Sequence, residues 1–297
     1  GISLQELGQL DEAVKCFEKA LAIKSDFAEA HNSLGNALYD LGQHDAAVKS
    51  YEKAIAIKSD YADAHCNLGI ALKILDQHDA AVKSYEKAIA INPDYAEAHN
   101  NLGNTLNDLG QLDAAVKSYE NALAIKPDFA EAHNNLGNTL MNLDQLNEAV
   151  KCFKQALAIK PDYAEAHNNL GNTLMNLDQL EASIKSFEKA LAINPRYAEA
   201  HNNLGNSLEE LGRLKEAEAS YKQAIAFKQD FAEAHNNLGS TLMNLDQLDA
   251  SIKSFEKALA INPRYAEAYQ NHGNALLGLK RMDEALVSFE RALVLKP

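Results

Sequence analysis

One pattern returns every 34 residues along this chain, and it limits what the chain can become more than any other feature. Alanines at 28, 62, 96, 130, 164, 198, 232 and 266 open successive copies. A partial copy covers 1–27, full copies cover 28–61, 62–95, 96–129, 130–163, 164–197, 198–231 and 232–265, and a nearly complete one covers 266–297. No residue is inserted or lost between them. The spacing therefore predicts a single array over 1–297, not the two ordinary domains that this length would otherwise suggest. In such arrays one copy cannot bury its own apolar face, so stacked neighbours build a continuous core.

Numbering each copy from 1 to 34, residues 164–197 read AEAHNNLGNTLMNLDQLEASIKSFEKALAINPRY. Apolar or small residues fall at positions 3, 7, 8 and 11, then at 17, 20, 21, 24, 27, 28 and 30. Both sets carry the three- and four-residue spacing of a helix buried along one stripe. A short polar turn separates them, and Pro93, Pro127, Pro161, Pro195 and Pro263 follow the second set. Proline lacks an amide hydrogen and clashes with the preceding turn, so it is expected to stop the second helix there. The fold class that follows is all-α, with helix, turn, helix and link repeated throughout.

Position 8 is glycine in every copy, from Gly1 and Gly35 through Gly171 to Gly273. Glycine inside a helix costs up to about 1 kcal/mol relative to alanine. Its return predicts a partner helix lying across the backbone at that point. Position 27 is always alanine, position 20 is alanine or serine, and position 24 is always Tyr or Phe. Position 34 is aromatic from Phe27 to Tyr265. These aromatics read as core rather than as ligand-stacking groups.

Residues 96–129 place Ala96, His99, Leu102 and Gly103 in the first helix and Ala115, Tyr119, Ala122 and Pro127 in or after the second. With the period, this resembles the tetratricopeptide repeat over the whole chain. Position 4 departs from that family: His31, His65, His99, His133, His167, His201 and His235 replace its usual bulky aromatic, which returns only as Tyr269. In that departure, and in the AEAHNNLGN run, the copies are similar to the repeat region of protein O-linked N-acetylglucosamine transferases. The resemblance implies a solenoid of antiparallel helix pairs in a right-handed superhelix. First helices would line a concave groove, with positions 2, 5, 6, 9, 12 and 13 facing it, and second helices would form the outer wall.

Position 6 holds Asn67, Asn101, Asn135, Asn169, Asn203, Asn237 and Asn271, with Ser33 the exception. Position 9 holds Asn36, Asn104, Asn138, Asn172, Asn206 and Asn274, broken by Ile70 and Ser240. Residues three apart share a helix face, and an amide side chain has the donor and acceptor of a peptide group. A file of asparagines can thus hold the backbone of an extended polypeptide while reading little of its sequence. A solvated face copied by duplication gives the same pattern. Segments 164–197 and 232–265 differ only at Asn172 against Ser240 and Glu181 against Asp249, the mark of recent duplication or of copying. Position 2 is acidic in all eight copies that contain it, with Glu97, Glu131, Glu165, Glu199 and Glu233 among them. Carboxylates in a first turn meet the positive end of the helix, and the same groups would rim the groove. Met141, Met175 and Met243 at position 12 suit either apolar ligand side chains or packing between copies.

The histidines lack a second His or Cys four residues on, so no metal site is expected. A half-buried ring bonded locally through one nitrogen is the expected arrangement. His44, His78 and His272 replace leucines and should mark weaker packing. Lysines at positions 22 and 26 form an outward stripe with Glu at position 25 nearby, read as a solubilising face. A net charge of −14 argues against unspecific nucleic-acid binding. Cys16 and Cys152 occupy one slot four periods apart, so no disulfide framework is expected, and there is no N-x-Ser/Thr sequon. Both favour an intracellular setting, cytoplasmic or nuclear. No apolar run suits a membrane span. The chain opens at position 8 and stops at position 32, so it reads as a fragment of a longer array.

No Walker, GxGxxG or HExxH motif occurs, so no catalytic residue, cofactor or metal is expected, and the protein is not read as an enzyme. The leading function is a non-catalytic protein–protein interaction scaffold that binds extended peptide segments in the asparagine-lined groove. One alternative is the substrate-recognition arm of an O-linked N-acetylglucosamine transferase-like enzyme whose catalytic domain lies elsewhere. Another is a structural array that self-associates through its exposed ends.

Overall fold

The structure, a computed structural model, describes residues 1, 2, 4 and 7–296. Among the described residues seventeen α-helices are delimited and no strand occurs. The chain forms two compact units, residues 1–145 and 146–297. The first contains α1 (Leu10–Ile23), α2 (Ala28–Asp40), α3 (His44–Ile57), α4 (Ala62–Ile74), α5 (His78–Ile91), α6 (Ala96–Asp108), α7 (Leu112–Ile125) and α8 (Ala130–Asn142). The second contains α9 (Leu146–Ile159), α10 (Ala164–Asn176), α11 (Leu180–Ile193), α12 (Ala198–Glu210), α13 (Leu214–Phe227), α14 (Ala232–Asn244), α15 (Leu248–Ile261), α16 (Ala266–Gly278) and α17 (Met282–Leu295). Within each unit consecutive helices pack on one another, pair by pair.

The helix boundaries follow the period: first helices span positions 1–13 and second helices 17–30. The intervening turn passes through the left-handed region at position 15. Gly42, Gly110 and Gly212 sit there with φ of 72–73°, and Asp76, Asp144, Asp178, Asp246 and Lys280 adopt φ of 58–61° at the same place. The next amide reaches back across the turn to position 11, as Gln43 N–H does to the Leu38 carbonyl at 2.9 Å. This is the usual way a helix end recovers its unsatisfied carbonyls.

The links differ from the sequence reading in one respect. Second helices end at position 30 whether or not proline follows: α3 stops at Ile57 before Lys-Ser-Asp-Tyr, and α13 at Phe227 before Lys-Gln-Asp-Phe. Lys58 and Lys228 are already extended there. At these links the position-31 lysine lies over the position-34 aromatic, with Lys58 Nζ 4.9 Å from the Tyr61 ring centre and Lys228 Nζ 4.8 Å from that of Phe231. Where the link is Asn-Pro-Arg-Tyr, Asn194 and Asn262 instead accept the amides of Arg196 and Arg264 at 3.2 and 3.1 Å. Proline is therefore not required for the stop, which the links after α3 and α13 reach without it.

The position-8 glycines have the neighbour that their sequence predicts. A methyl group on Gly35 would lie 2.5 Å from the Tyr51 ring, and one on Gly171 or Gly239 would lie 2.6 Å from Phe187 or Phe255. The ring of the second helix therefore rests on the backbone of the first. In the first unit Tyr85 is buried with Leu72, Ala81, Ala88 and Ala98. In the second, Tyr221 is buried with Ile184, Leu208, Ala217 and Leu242. Burying each such ring contributes roughly 1.5–3 kcal/mol. On α17, Leu286, Val287, Leu293 and Val294 are more than half exposed.

Candidate functional site

All seven position-6 asparagines are half-buried on the first helices, but their amides are only partly free. Within the first unit, the Asn67 amide donates to Asn32 Oδ1 and to Asn36 Oδ1, both at 3.1 Å, and Asn135 donates to Asn100 Oδ1 at 3.1 Å. Within the second, Asn203 donates to Asn168, Asn237 to Asn202 and to Asn206, and Asn271 to Asn236, at 3.0–3.2 Å. Each of these amides joins position 6 of one copy to position 5 of the copy before, and Asn67 and Asn237 also reach position 9 of that copy. Asn101 faces Cys66 instead, with Nδ2 4.0 Å from Sγ. Asn169 accepts from Asn168 Nδ2 at 3.5 Å.

Position 5 was expected to face the groove, and it does not. Asn32, Asn100, Asn134, Asn168, Asn202 and Asn236 are buried beneath it, as is Cys66. The adjacent first helix covers that side of the copy. Asn32, Asn100, Asn168, Asn202 and Asn236 are the acceptors of the inter-repeat links, a role that sequence reasoning missed. The Asn-Asn doublet at positions 5 and 6 was visible, and a cysteine standing in for the first of the pair was the signal that position 5 is buried.

Position 9 takes a different partner. The hydroxyls of Tyr51, Tyr119 and Tyr221 donate to Oδ1 of Asn36, Asn104 and Asn206 at 2.8–2.9 Å. Burial raises the pKa of all three tyrosines, which keeps them protonated donors. With its oxygen held, a position-9 amide turns NH2 outward. Where position 24 is Phe, that anchor is lost: Asn172, half-buried beside Phe187, makes no hydrogen bond among the described residues, and Asn138 and Asn274 likewise make none. Position 6 therefore keeps acceptor capacity at its oxygen, with a second N–H unused at Asn135, Asn203 and Asn271, and position 9 keeps its N–H at Asn36, Asn104 and Asn206. Together they match the N–H and C=O of an extended chain.

The acidic rim is exposed throughout. Glu97 and Glu199 pair with Lys126 and Lys228 of their own copies at 3.0 and 2.8 Å, and those hydrogen bonds lower both carboxyl pKa values. Glu233 accepts the amide of Asn202 at 3.0 Å. Glu131 and Glu165 lie exposed in the same first turn. A concavity of about 490 Å³ in the second unit is lined by Met175, Asn206, Asn237 and four carboxylates: Glu209, Glu210, Glu233 and Glu267. A smaller one in the first unit, about 220 Å³, is lined by Asn36, Asn67, Tyr39, Asp40, Tyr51 and Ile70. These hollows show acid and amide side by side on the first-helix face.

The position-4 histidines are bonded as expected. Nε2 of His31, His65, His99, His133, His167, His201 and His235 lies 3.0–3.2 Å from the position-32 carbonyl of the preceding link. Nε2–H is thus the donor, and each ring holds a link that an ordinary aromatic could only cover. His78 bonds Asp76 and His272 bonds the Ser288 hydroxyl, so two of the three histidines in leucine slots gain polar partners. Among the described residues no three His, Cys, Asp or Glu side chains come together as a metal-binding group. No helix among them is long and apolar enough to cross a membrane.

Family comparisons agree with this geometry. Models described as TPR repeat match residues 3–42, 35–76, 71–107, 103–144 and 137–178, and models described as tetratricopeptide repeat match 162–230, 232–265 and 266–297. The chain belongs to the tetratricopeptide repeat family, and each unit is an all-α solenoid of antiparallel helix pairs in that family's right-handed sense, with an asparagine-rich groove on its first helices. No curated protein matches it. Among solved structures, MamA is 27% identical over 54% of this chain and 94% of its own, with a TM-score of 0.51. YrrB, described as a TPR protein with an unusual peptide-binding site, is 25% identical over 63% of this chain and 96% of its own, with a TM-score of 0.53. PilF of Pseudomonas aeruginosa, 20% identical over 70% and 94% with a TM-score of 0.63, shares the fold.

Proposed function

We propose that this protein is a non-catalytic scaffold that holds extended peptide segments by their backbone along the first-helix groove. The observation that carries the reading is the division of labour between the two asparagine files. One file presents oxygen, with a spare N–H at Asn135, Asn203 and Asn271, and the tyrosine-held amides of the other present N–H, as the two edges of a peptide unit require. The peptide-binding site named for YrrB lends support by similarity. The carboxylates around Glu209 and Glu233 add a preference for basic or polar segments over acidic ones, weakened by salt. Several weak, evenly spaced contacts suit a partner that is disordered until bound.

The test separates binding from folding. Asn172 and Asn274 make no hydrogen bond among the described residues, so Asn172→Ala with Asn274→Ala should weaken binding of a long, flexible basic peptide severalfold in calorimetry and leave the melting temperature unchanged. Lys49→Ala, Lys83→Ala and Lys117→Ala on the outer wall should do neither. Equal loss from the lysine set would move binding off the groove and end this reading.

A second reading rests on the histidines at position 4 and the AEAHNNLGN run, which resemble glycosyltransferase repeats. There the same groove would present acceptor polypeptides to a transferase domain, and sequencing the gene on both sides of this segment decides it. That residues 1–297 form a single array is likewise a proposal, resting on the unbroken 34-residue register of the sequence through 130–163. Self-association through the apolar face of α17 is testable by sedimentation over a range of concentrations.

A further inference from the structure

We propose that the outer wall of the second unit carries a separate docking site, between α9 and α11, for an acidic polypeptide segment with an apolar anchor. A crevice of about 600 Å³ opens there. Its floor is apolar, formed by Leu157, Ala158, Leu170, Ala192 and Ile193, and its rim carries Lys154, Lys185 and Lys189. All three lysines are exposed, and none has an ion-pair partner among the described residues. His167 stands in the wall with Nε2–H on the Pro161 carbonyl. Burial lowers its pKa, as does Lys189, so the positive charge at neutral pH comes from the lysines alone.

The repeats supply their own control. The rim is made by position 25 of one copy and positions 22 and 26 of the next. Elsewhere position 25 brings an acid to these sites: Glu52 precedes Lys83 and Lys87, and Glu86 precedes Lys117. Lys154 reverses that charge. The only other reversal is Lys222, ahead of Lys253 and Lys257, and there Glu218 replaces the usual apolar residue of position 21 and holds Lys222 at 2.7 Å. The outer stripe read from sequence as solubilising is thus acid-balanced at most junctions and left open at one.

The occupant follows from the lining. An isolated anion would use the lysines and leave the apolar floor bare. A polyanionic surface would meet the whole molecule, whose net charge is −14. A short segment feels the local field alone, because screening reaches about 8 Å at physiological ionic strength. Acidic side chains on the rim and one apolar side chain on the floor satisfy both halves of the site.

The probe is a fluorescein-labelled dodecapeptide with glutamates flanking a Leu-Phe pair, titrated by anisotropy against the full chain. Binding should weaken as salt rises. Lys154→Glu with Lys185→Glu should weaken it at least tenfold, with circular dichroism unchanged, whereas Lys83→Glu with Lys87→Glu should leave it as it was. Replacing Leu-Phe with Ser-Ser should also weaken it severalfold. Equal affinity for the charge-reversed crevice, or for the Ser-Ser peptide, would overturn the proposal. So would phosphatidylserine vesicles that bind through these lysines while the peptide does not.

Discussion

Lys280 occupies a backbone conformation that suits glycine. Its φ is 61°, in the turn slot that Gly42, Gly110 and Gly212 fill elsewhere. The left-handed region costs an L-residue roughly 1–2 kcal/mol, while glycine gives back about 0.5–1 kcal/mol through the entropy of the unfolded chain. Lys280→Gly should therefore raise stability by about 0.5–1 kcal/mol, read as a shift in the urea midpoint with no change in slope. Single residues were also where sequence was least informative. Positions 5 and 6 are both asparagine and adjacent, yet one is buried and the other half open. Periodicity places them about 100° apart on one helix. Which of them a neighbouring helix covers is a tertiary matter. The tyrosine hydroxyls that orient Asn36, Asn104 and Asn206 were hidden for the same reason, since their partners lie 15 residues away on another helix.

At the level of the helix pair, the pattern was legible to within a residue or two, because the apolar spacing and the turn chemistry agree. The stop of the second helix was credited to proline, and the links after α3 and α13 reach the same stop without it. The histidines tie these links down, which makes them sensitive to acid. Burial is the largest influence on His167 and His235 and lowers both pKa values, with the link carbonyls opposing it. The folded state then favours the neutral ring more than the unfolded chain does. Stability from these rings is complete above the ordinary value of about 6.5. It declines as pH falls through that value toward the folded-state pKa, because the unfolded chain binds protons first. Thermal melts between about pH 7.5 and 5.5 should show this decline, and His167→Gln with His235→Gln should flatten it. Parallel profiles for the two proteins would contradict the assignment.

Across the whole molecule, repetition itself was the most legible property: the family and the helical class followed from the period before any contact was known. The charge of the outer wall was legible only in part. The stripe was visible as a stripe, and the open junction at Lys154 emerged once the copies on either side formed a crevice. Stability in such arrays is nearly a sum of local and nearest-neighbour contributions. Ending the chain after residue 265 should therefore leave a folded protein of somewhat lower melting temperature. Ending it after residue 281 should be worse, although it removes less. Ala275, now fully buried in a cluster with Ala285, would lose the cover of α17, and Gly273 would lose the Phe289 ring. Aggregation measured by light scattering should separate the two truncations, and equal behaviour would argue against modular stability.

The amide link between copies acts as a standard coupling. Asn203 on Asn168 and Asn271 on Asn236 make the same bond at nearly the same length, 3.1 and 3.2 Å, two copies apart. A copy needs only an oxygen at position 5 and an N–H at position 6 to follow or precede any other. A gene can then lengthen or shorten the protein by whole units without redesigning the neighbours, and the near-identity of 164–197 and 232–265 is what either duplication or copying of such units leaves. Cys66 offers the next copy a sulfur in place of that oxygen, at 4.0 Å. It leaves a loosely fastened seam in an otherwise interchangeable train.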